Sequence, residues 1–221
     1  MSLIFDELSN HAEIFKNILN ENLDKSDETH DFPWTNLVYT GNGVRRAHLD
    51  IVDKREEKKL YMMHLCIFPD VFCDAPIYGF DLIAGPNKVT GAFHDFSPVN
   101  NSEHPLVLDF AKSAKGYSWS KERVLPDWAK AIFSPNMVAA GNVKDRKELS
   151  EVLDLSASNL LKYISYLSQE SMPGDIDYTE YQNRYCQFQK QNPHTPRVME
   201  SLGYDTETVQ TFIQTCLFPE I

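Results

Sequence analysis

The sequence predicts an α/β protein, a three-layer α/β/α sandwich with a central antiparallel sheet, in a single domain spanning residues 1–221. Three observations predict it. Four runs of strand character follow one another between Val44 and Ser97, joined by turn-forming or charged pieces. A helix-periodic segment precedes them and mostly helical segments follow, enough to cover both faces of a sheet. Finally, 221 residues with 42% hydrophobic content suit one domain with a sizeable core.

In chain order, residues 3–23 read as a helix, with Leu3, Ile4, Leu8, Ile14, Phe15, Ile18 and Leu19 at roughly helical spacing. The charged stretch NENLDKSDETHD (20–31) reads as a loop, and FPWTNLVYTGNG leads toward the sheet with Asn42-Gly43 as a turn. Trp34 and Tyr39 suit core packing, with a pocket wall as the other option. The four strand runs are 44–52, 60–68, 77–84 and 88–96, separated by DKREEK, PDVFCDAP and AGPNK. A short helix is expected near 104–112, a proline-broken one in KERVLPDWAKAIFSP, and another strand in NMVAAG (136–141). A strong helix over 143–168 carries the stripe Val152, Leu153, Leu155, Leu160, Leu161, Ile164 and Leu167, and SMPGD ends it. Helices over 175–191 and 205–216 close the chain, with NPHTPR between them read as a loop.

Composition narrows the function. A net charge of −11 argues against nonspecific nucleic-acid binding. The basic clusters KREEKK (54–59) and KDRK (144–147) are mixed in sign; a solvated turn or helix start explains them simply, a docking patch for a negatively charged partner more pointedly. No long apolar run predicts a membrane span, and the acidic N-terminus resembles neither a signal nor a transit peptide, so a cytoplasmic protein is expected. The four cysteines form no CxxC pair, and Cys66 and Cys216 sit in apolar runs as small hydrophobes. The dinucleotide-binding GxGxxG, the P-loop, GxSxG and HExxH are all missing. His48, Asp50 and His64 could ligate a metal, but no further ligand at a distinctive spacing joins them, and none is expected.

Side-chain alternation points to the chemistry. Arg46, His48 and Asp50 share one face of the first run, Met62, His64 and Cys66 one face of the second, and Ile77, Gly79, Asp81 and Ile83 one face of the third. Ionisable residues among apolar ones, mid-strand on neighbouring strands, must be paired or have shifted pKa values. One such residue is ordinary on a solvated sheet; the set looks more like the floor of a pocket suited to proton transfer. Nothing among these residues supplies electrons.

The segments HxxxFPD (64–70), APIYGFDLIAGPNKVTGAFHDFSP and QKQNPHTPRVME resemble the ferredoxin-dependent bilin reductase family, closest to its phycocyanobilin:ferredoxin oxidoreductase branch. The resemblance runs from about residue 30 to the end and is most specific over 60–98. It implies an α/β/α sandwich holding the open-chain tetrapyrrole biliverdin IXα between the sheet and the C-terminal helices. It also implies no bound cofactor, electrons from reduced [2Fe-2S] ferredoxin, protons from the protein, and a monomer in the cytoplasm of a cyanobacterium or a phage-infected host. The family's catalytic aspartate falls on Asp81, its sheet histidine on His64 and its second histidine on His48.

Departures from the family pattern matter as well. Enzymes that make phycocyanobilin carry a glutamate where this chain has Asp50, whose proton would sit about 1 Å back. The resemblance therefore implies impaired exovinyl reduction and phycoerythrobilin as product, as in phage-borne relatives, with phycocyanobilin or a non-catalytic bilin-binding module as alternatives. Asn192 matches an asparagine of the same branch. The strand near 136–142 lacks the family's propionate-binding arginine, which leaves Arg197, His194 or Lys190 as anchors, with Arg45 or Arg46 contributing from opposite strand faces. Lys54, Arg55, Lys58 and Lys59 with Lys121 and Arg123 form the expected docking patch for ferredoxin.

Overall fold

The computed structural model describes residues 3–170 and 174–221. Its centre is a seven-stranded sheet: β1 (Asp24–Lys25), β2 (Thr35–Gly41), β3 (Val44–Lys54), β4 (Leu60–Pro69), β5 (Ile77–Gly85), β6 (Lys88–Ser97) and β7 (Val138–Val143). Each strand pairs antiparallel with the next, so spatial order equals chain order. The β2–β3 turn needs left-handed backbone, which Asn42 (φ 50°) and Gly43 (φ 77°) provide. The four expected strands lie where expected. The sheet is wider than the sequence suggests, because the expected approach to the sheet forms β2 and part of the expected loop forms β1. The run TNLVYTG has the β-branched and aromatic content of a strand, so β2 was legible; the two-residue β1 was not.

Helices cover both faces. One layer holds α1 (Leu3–Asn22), α3 (Pro105–Ala114) and α5 (Arg146–Glu170), packed on Leu49, Leu65, Phe80 and Leu82 of the sheet. Phe15 of α1 meets Phe80 edge-on with ring centroids 5.2 Å apart. Each fully buried side chain of this size contributes roughly 1.5–3 kcal/mol. The turn α2 (Arg55–Lys58) links β3 to β4, and α4 (Asp127–Lys130) sits before β7. The other layer holds α6 (Thr179–Gln189), α7 (His194–Ser201) and α8 (Thr206–Thr211), which runs into a π-helical segment, Phe212–Leu217. Its core joins Cys66, Phe68 and Ile77 of the sheet to Tyr185, Met199, Phe212 and Cys216. All four cysteines are buried.

Two expectations are corrected here. NPHTPR is not a loop: α7 begins at His194 and places Pro196 in its first turn, where a proline costs no intrahelical hydrogen bond. Arg45 and Arg46 do not part to opposite faces. The register of β3 on β4 shifts between Val44 and Arg46, and this bulge turns both guanidinium groups to the α6–α8 side. The expected helix stop at SMPGD falls mainly on 171–173, outside the described residues.

Candidate active site

A cavity of about 320 Å³ lies between the α6–α8 layer and the sheet. Its floor follows from strand register. Asp50 pairs with His64, His64 with Asp81, and Asp81 with Phe93, so four neighbouring strands present these side chains in one row. A parallel row runs Cys66, Gly79, Asp95. Tyr185, Gln189, Asn192, His194, Thr195 and Val198 wall the cavity on the helical side, joined by Phe212, Leu217 and Phe218. The open edge is the segment from Arg123 to Ala129, where Val124 lines the cavity yet is 92% exposed.

The floor depends on glycine. A methyl group on Gly91 would lie 2.8 Å from the Phe93 ring, and one on Gly141 2.9 Å from Arg123 Nε. The bare backbone at Gly141 thus lets the Arg123 side chain lie across β7 to the cavity rim. The 121–123 segment is held there by Gly141 N–H donating to Lys121 C=O and Arg123 N–H donating to Ala139 C=O, both at 2.7 Å.

Asp50, His64 and Asp81 form one electrostatically coupled group. His64 Nδ1 lies 3.2 Å from Asp50 Oδ1. Burial alone would lower the His64 pKa, but the hydrogen bond to Asp50 and the charges of Asp50 and Asp81 outweigh it and raise it. Burial pushes the Asp81 carboxyl up to about 6; the attraction of His64 pulls it back and the repulsion of Asp50 adds to the rise. A carboxyl group that holds its proton near pH 6 beside a histidine that keeps its own is suited to general acid work near neutrality.

His48 faces the same side of the sheet but is fully buried beneath the π-helical segment and does not line the cavity. Its Nε2 lies 3.1 Å from Asn36 Oδ1 and 3.4 Å from Cys216 Sγ, while Nδ1 has no partner. Because an amide oxygen only accepts, Nε2 carries the proton. Burial, then the Arg46 charge, push its pKa well down, so the ring is neutral. The His48, Asp50 and His64 side chains lie within 4.8 Å of one another, so His48 stands beside the pair but outside the cavity.

The expected anchors fare unevenly. Asn192 lines the cavity and its Oδ1 accepts the His194 N–H at 2.9 Å; His194 lines it too. Lys190 is committed to Glu220 at 2.6 Å, and Arg197 is exposed away from the cavity. Arg46 donates to Glu28 and to the Cys216 carbonyl, both at 2.7 Å, and Arg45 donates to Gln182 at 3.0 Å; neither reaches the cavity. Trp34 packs on Phe212 and Tyr39 is buried in the other core, so neither is a wall. The residue that sequence reasoning missed as an anchor is Arg123, the one Arg or Lys among the lining residues. The sequence sets it beside Lys121; its place over Gly141 is set by tertiary contact alone.

Residues 3–219 match the family profile described as ferredoxin-dependent bilin reductase. The chain belongs to that family. It is an oxidoreductase that reduces bilins with electrons from ferredoxin. Among proteins of known role, it is 28% identical over 189 residues to the phycocyanobilin:ferredoxin oxidoreductase of Synechococcus sp. (strain CC9605), covering 83% of this chain and 74% of that protein. It is 29% identical over 191 residues to the enzyme of the same name from Prochlorococcus marinus (strain MIT 9313), covering 84% and 70%. The solved structure of a protein named PcyX superposes with a TM-score of 0.72 at 33% identity, covering 97% of this chain and 99% of that one. Tomato phytochromobilin synthase in complex with biliverdin shares the fold, with a TM-score of 0.70 at 15% identity over 96% of this bilin reductase and 82% of that chain. The α/β/α architecture of the bilin reductase is thus the one its sequence predicted.

Proposed function

We propose that this bilin reductase takes biliverdin IXα as substrate and reduces it by four electrons to phycoerythrobilin. Reduced ferredoxin supplies the electrons one at a time, and no resident cofactor takes part. The observation that carries this reading is the row Asp50–His64–Asp81 in the cavity floor. Each electron entering the conjugated pigment makes it more basic. A side chain already holding a proton then donates it: Asp81 first, with His64 restoring the Asp81 proton and Asp50 holding His64 in place. Phe93, Phe212 and Phe218 supply apolar contact for the pyrrole rings. Arg123 at the rim binds a propionate, in place of the arginine that β7 lacks. Asp50, shorter than glutamate, favours phycoerythrobilin over phycocyanobilin because its acid falls short of the exovinyl group.

Anaerobic incubation with biliverdin, ferredoxin and a reductant, followed by chromatography, tests the reading. Transient radical absorbance and phycoerythrobilin are expected. Phycocyanobilin would overturn the product assignment, and bound but unreduced biliverdin would overturn the choice of substrate for turnover. Asp81→Asn should bind biliverdin and lose about 10²–10⁴-fold in turnover, the usual worth of a positioned general acid.

A further inference from the structure

The cavity wall holds another carboxyl group that the Asp50–His64–Asp81 relay does not use. Asp95 lies on β6 opposite Gly79, is 1% exposed and lines the cavity. Its Oδ2 accepts the Ser97 hydroxyl and the Ser134 N–H, both at 2.8 Å, and its Oδ1 accepts the Ser134 hydroxyl at 2.5 Å. A carboxyl group offers about four acceptor positions. The Ser134 N–H is committed to Oδ2, and the Phe96 N–H also favours the carboxylate; the acid proton falls to Oδ1, whose Ser134 hydroxyl partner is free to rotate. No cation pairs with Asp95 among the described residues. The titratable groups around it are Cys66 of β4 and Tyr185 of α6, with His64 and Asp81 in the adjacent row. Burial raises both the Cys66 thiol and the Tyr185 phenol, leaving them neutral at ordinary pH. Gln189, which donates to the Tyr185 oxygen at 2.7 Å, adds no charge.

We propose that Asp95 is a second proton donor of this cavity, acting independently of the Asp50–His64–Asp81 group and serving a different position of the tetrapyrrole. This rests on the bilin-reductase reading and deepens it. Diagonal neighbours on adjacent strands stand about 7–8 Å apart, so Asp81 and Asp95 reach different parts of one extended pigment. Burial pushes the Asp95 carboxyl up to about 6, against the pull of the Ser134, Ser97 and Phe96 donors. In the step, an electron from reduced ferredoxin enters the pigment, the Asp95 O–H bond breaks and a C–H or N–H bond of the pigment forms. The carboxylate regains a proton from water between turnovers. Over the whole reaction four electrons and four protons are consumed, and a donor confined to one row would leave the far part of the pigment unserved.

Infrared pH titration of the pigment-free protein, wild type beside Asp81→Asn and Asp95→Asn, tests whether Asp95 holds a proton. Two protonated-carboxyl signals titrating near pH 6 are expected, one lost in each variant. A single signal that only Asp81→Asn removes would overturn the proposal. For turnover, Asp95→Asn should bind biliverdin within about threefold of wild type and stop at a two-electron-reduced bilin. If Asp95 only holds the Ser134 turn, Asp95→Asn and Ser134→Ala will lose affinity together and both will still give full product, which rejects the role. Biliverdin left unreduced by the wild type would count against the parent reading instead, and the infrared titration would still decide whether Asp95 carries the proton.

Discussion

At Asp81 four influences meet: burial and the Asp50 charge favour the neutral acid, and His64 and the Leu82 N–H favour the carboxylate. The neutral acid is the donor, and it is the dominant form only below about pH 6. Single-turnover reduction should therefore slow as pH rises above that value, by up to about tenfold per unit for a single essential acid. A rate flat from pH 6 to pH 8 would remove Asp81 from the donor role. Asp50 makes the opposite point, that reach matters as much as acidity. Asp50→Glu should shift the chromatographed product toward exovinyl reduction; an unchanged product would place regiochemical control in the cavity wall instead. Both residues were legible in the sequence, because mid-strand charges on alternating faces are conspicuous. His48 was legible as a neighbour but not as a buried one. Its separation from the cavity comes from Cys216, 168 residues away, closing over it.

At the scale of elements, the site depends on short segments laid against the sheet. The 121–123 stretch adds to the edge of β7 through two backbone hydrogen bonds and carries Arg123 across Gly141. Arg123→Ala should weaken biliverdin binding about 10- to 100-fold, the range for losing a hydrogen bond to a charged group. Gly141→Ala should act in the same direction by displacing the guanidinium, with the fold kept. Equilibrium titration of the pigment absorbance measures both, and unaltered affinity would send the propionate elsewhere. Helix α7 was hidden by its prolines, since Pro193 and Pro196 read as loop until the helix start is known to fall at His194. The bulge that turns Arg45 was likewise invisible, because alternation assumes an unbroken ladder.

For the whole molecule, charge is the governing quantity. A net charge of −11 repels acidic partners on average, yet the turns at one end of the sheet gather exposed Lys58 and Lys59, with Lys88 held to Asn142 at 3.0 Å and the Lys121–Arg123 segment beside it. Ferredoxin-dependent turnover should fall steeply with ionic strength while biliverdin affinity changes less, since exposed charges are screened over about 10 Å at 0.1 M salt. Charge reversal at Lys58 and Lys59 should reproduce the loss at low salt. Equal salt sensitivity of binding and turnover would place docking on another surface.

By itself the sequence determined the layer order, the four central strands and the shared face of Asp50, His64 and Asp81, because hydrophobic periodicity and strand alternation are local properties written residue by residue. Tertiary structure alone decided that Arg123 reaches the cavity, that Lys190 and Arg46 are spent on Glu220 and Glu28, that His48 is sealed in, and that Asp95 faces the cavity beside Ser134. Those facts depend on which distant segments pack together, and no spacing along the chain records such a contact.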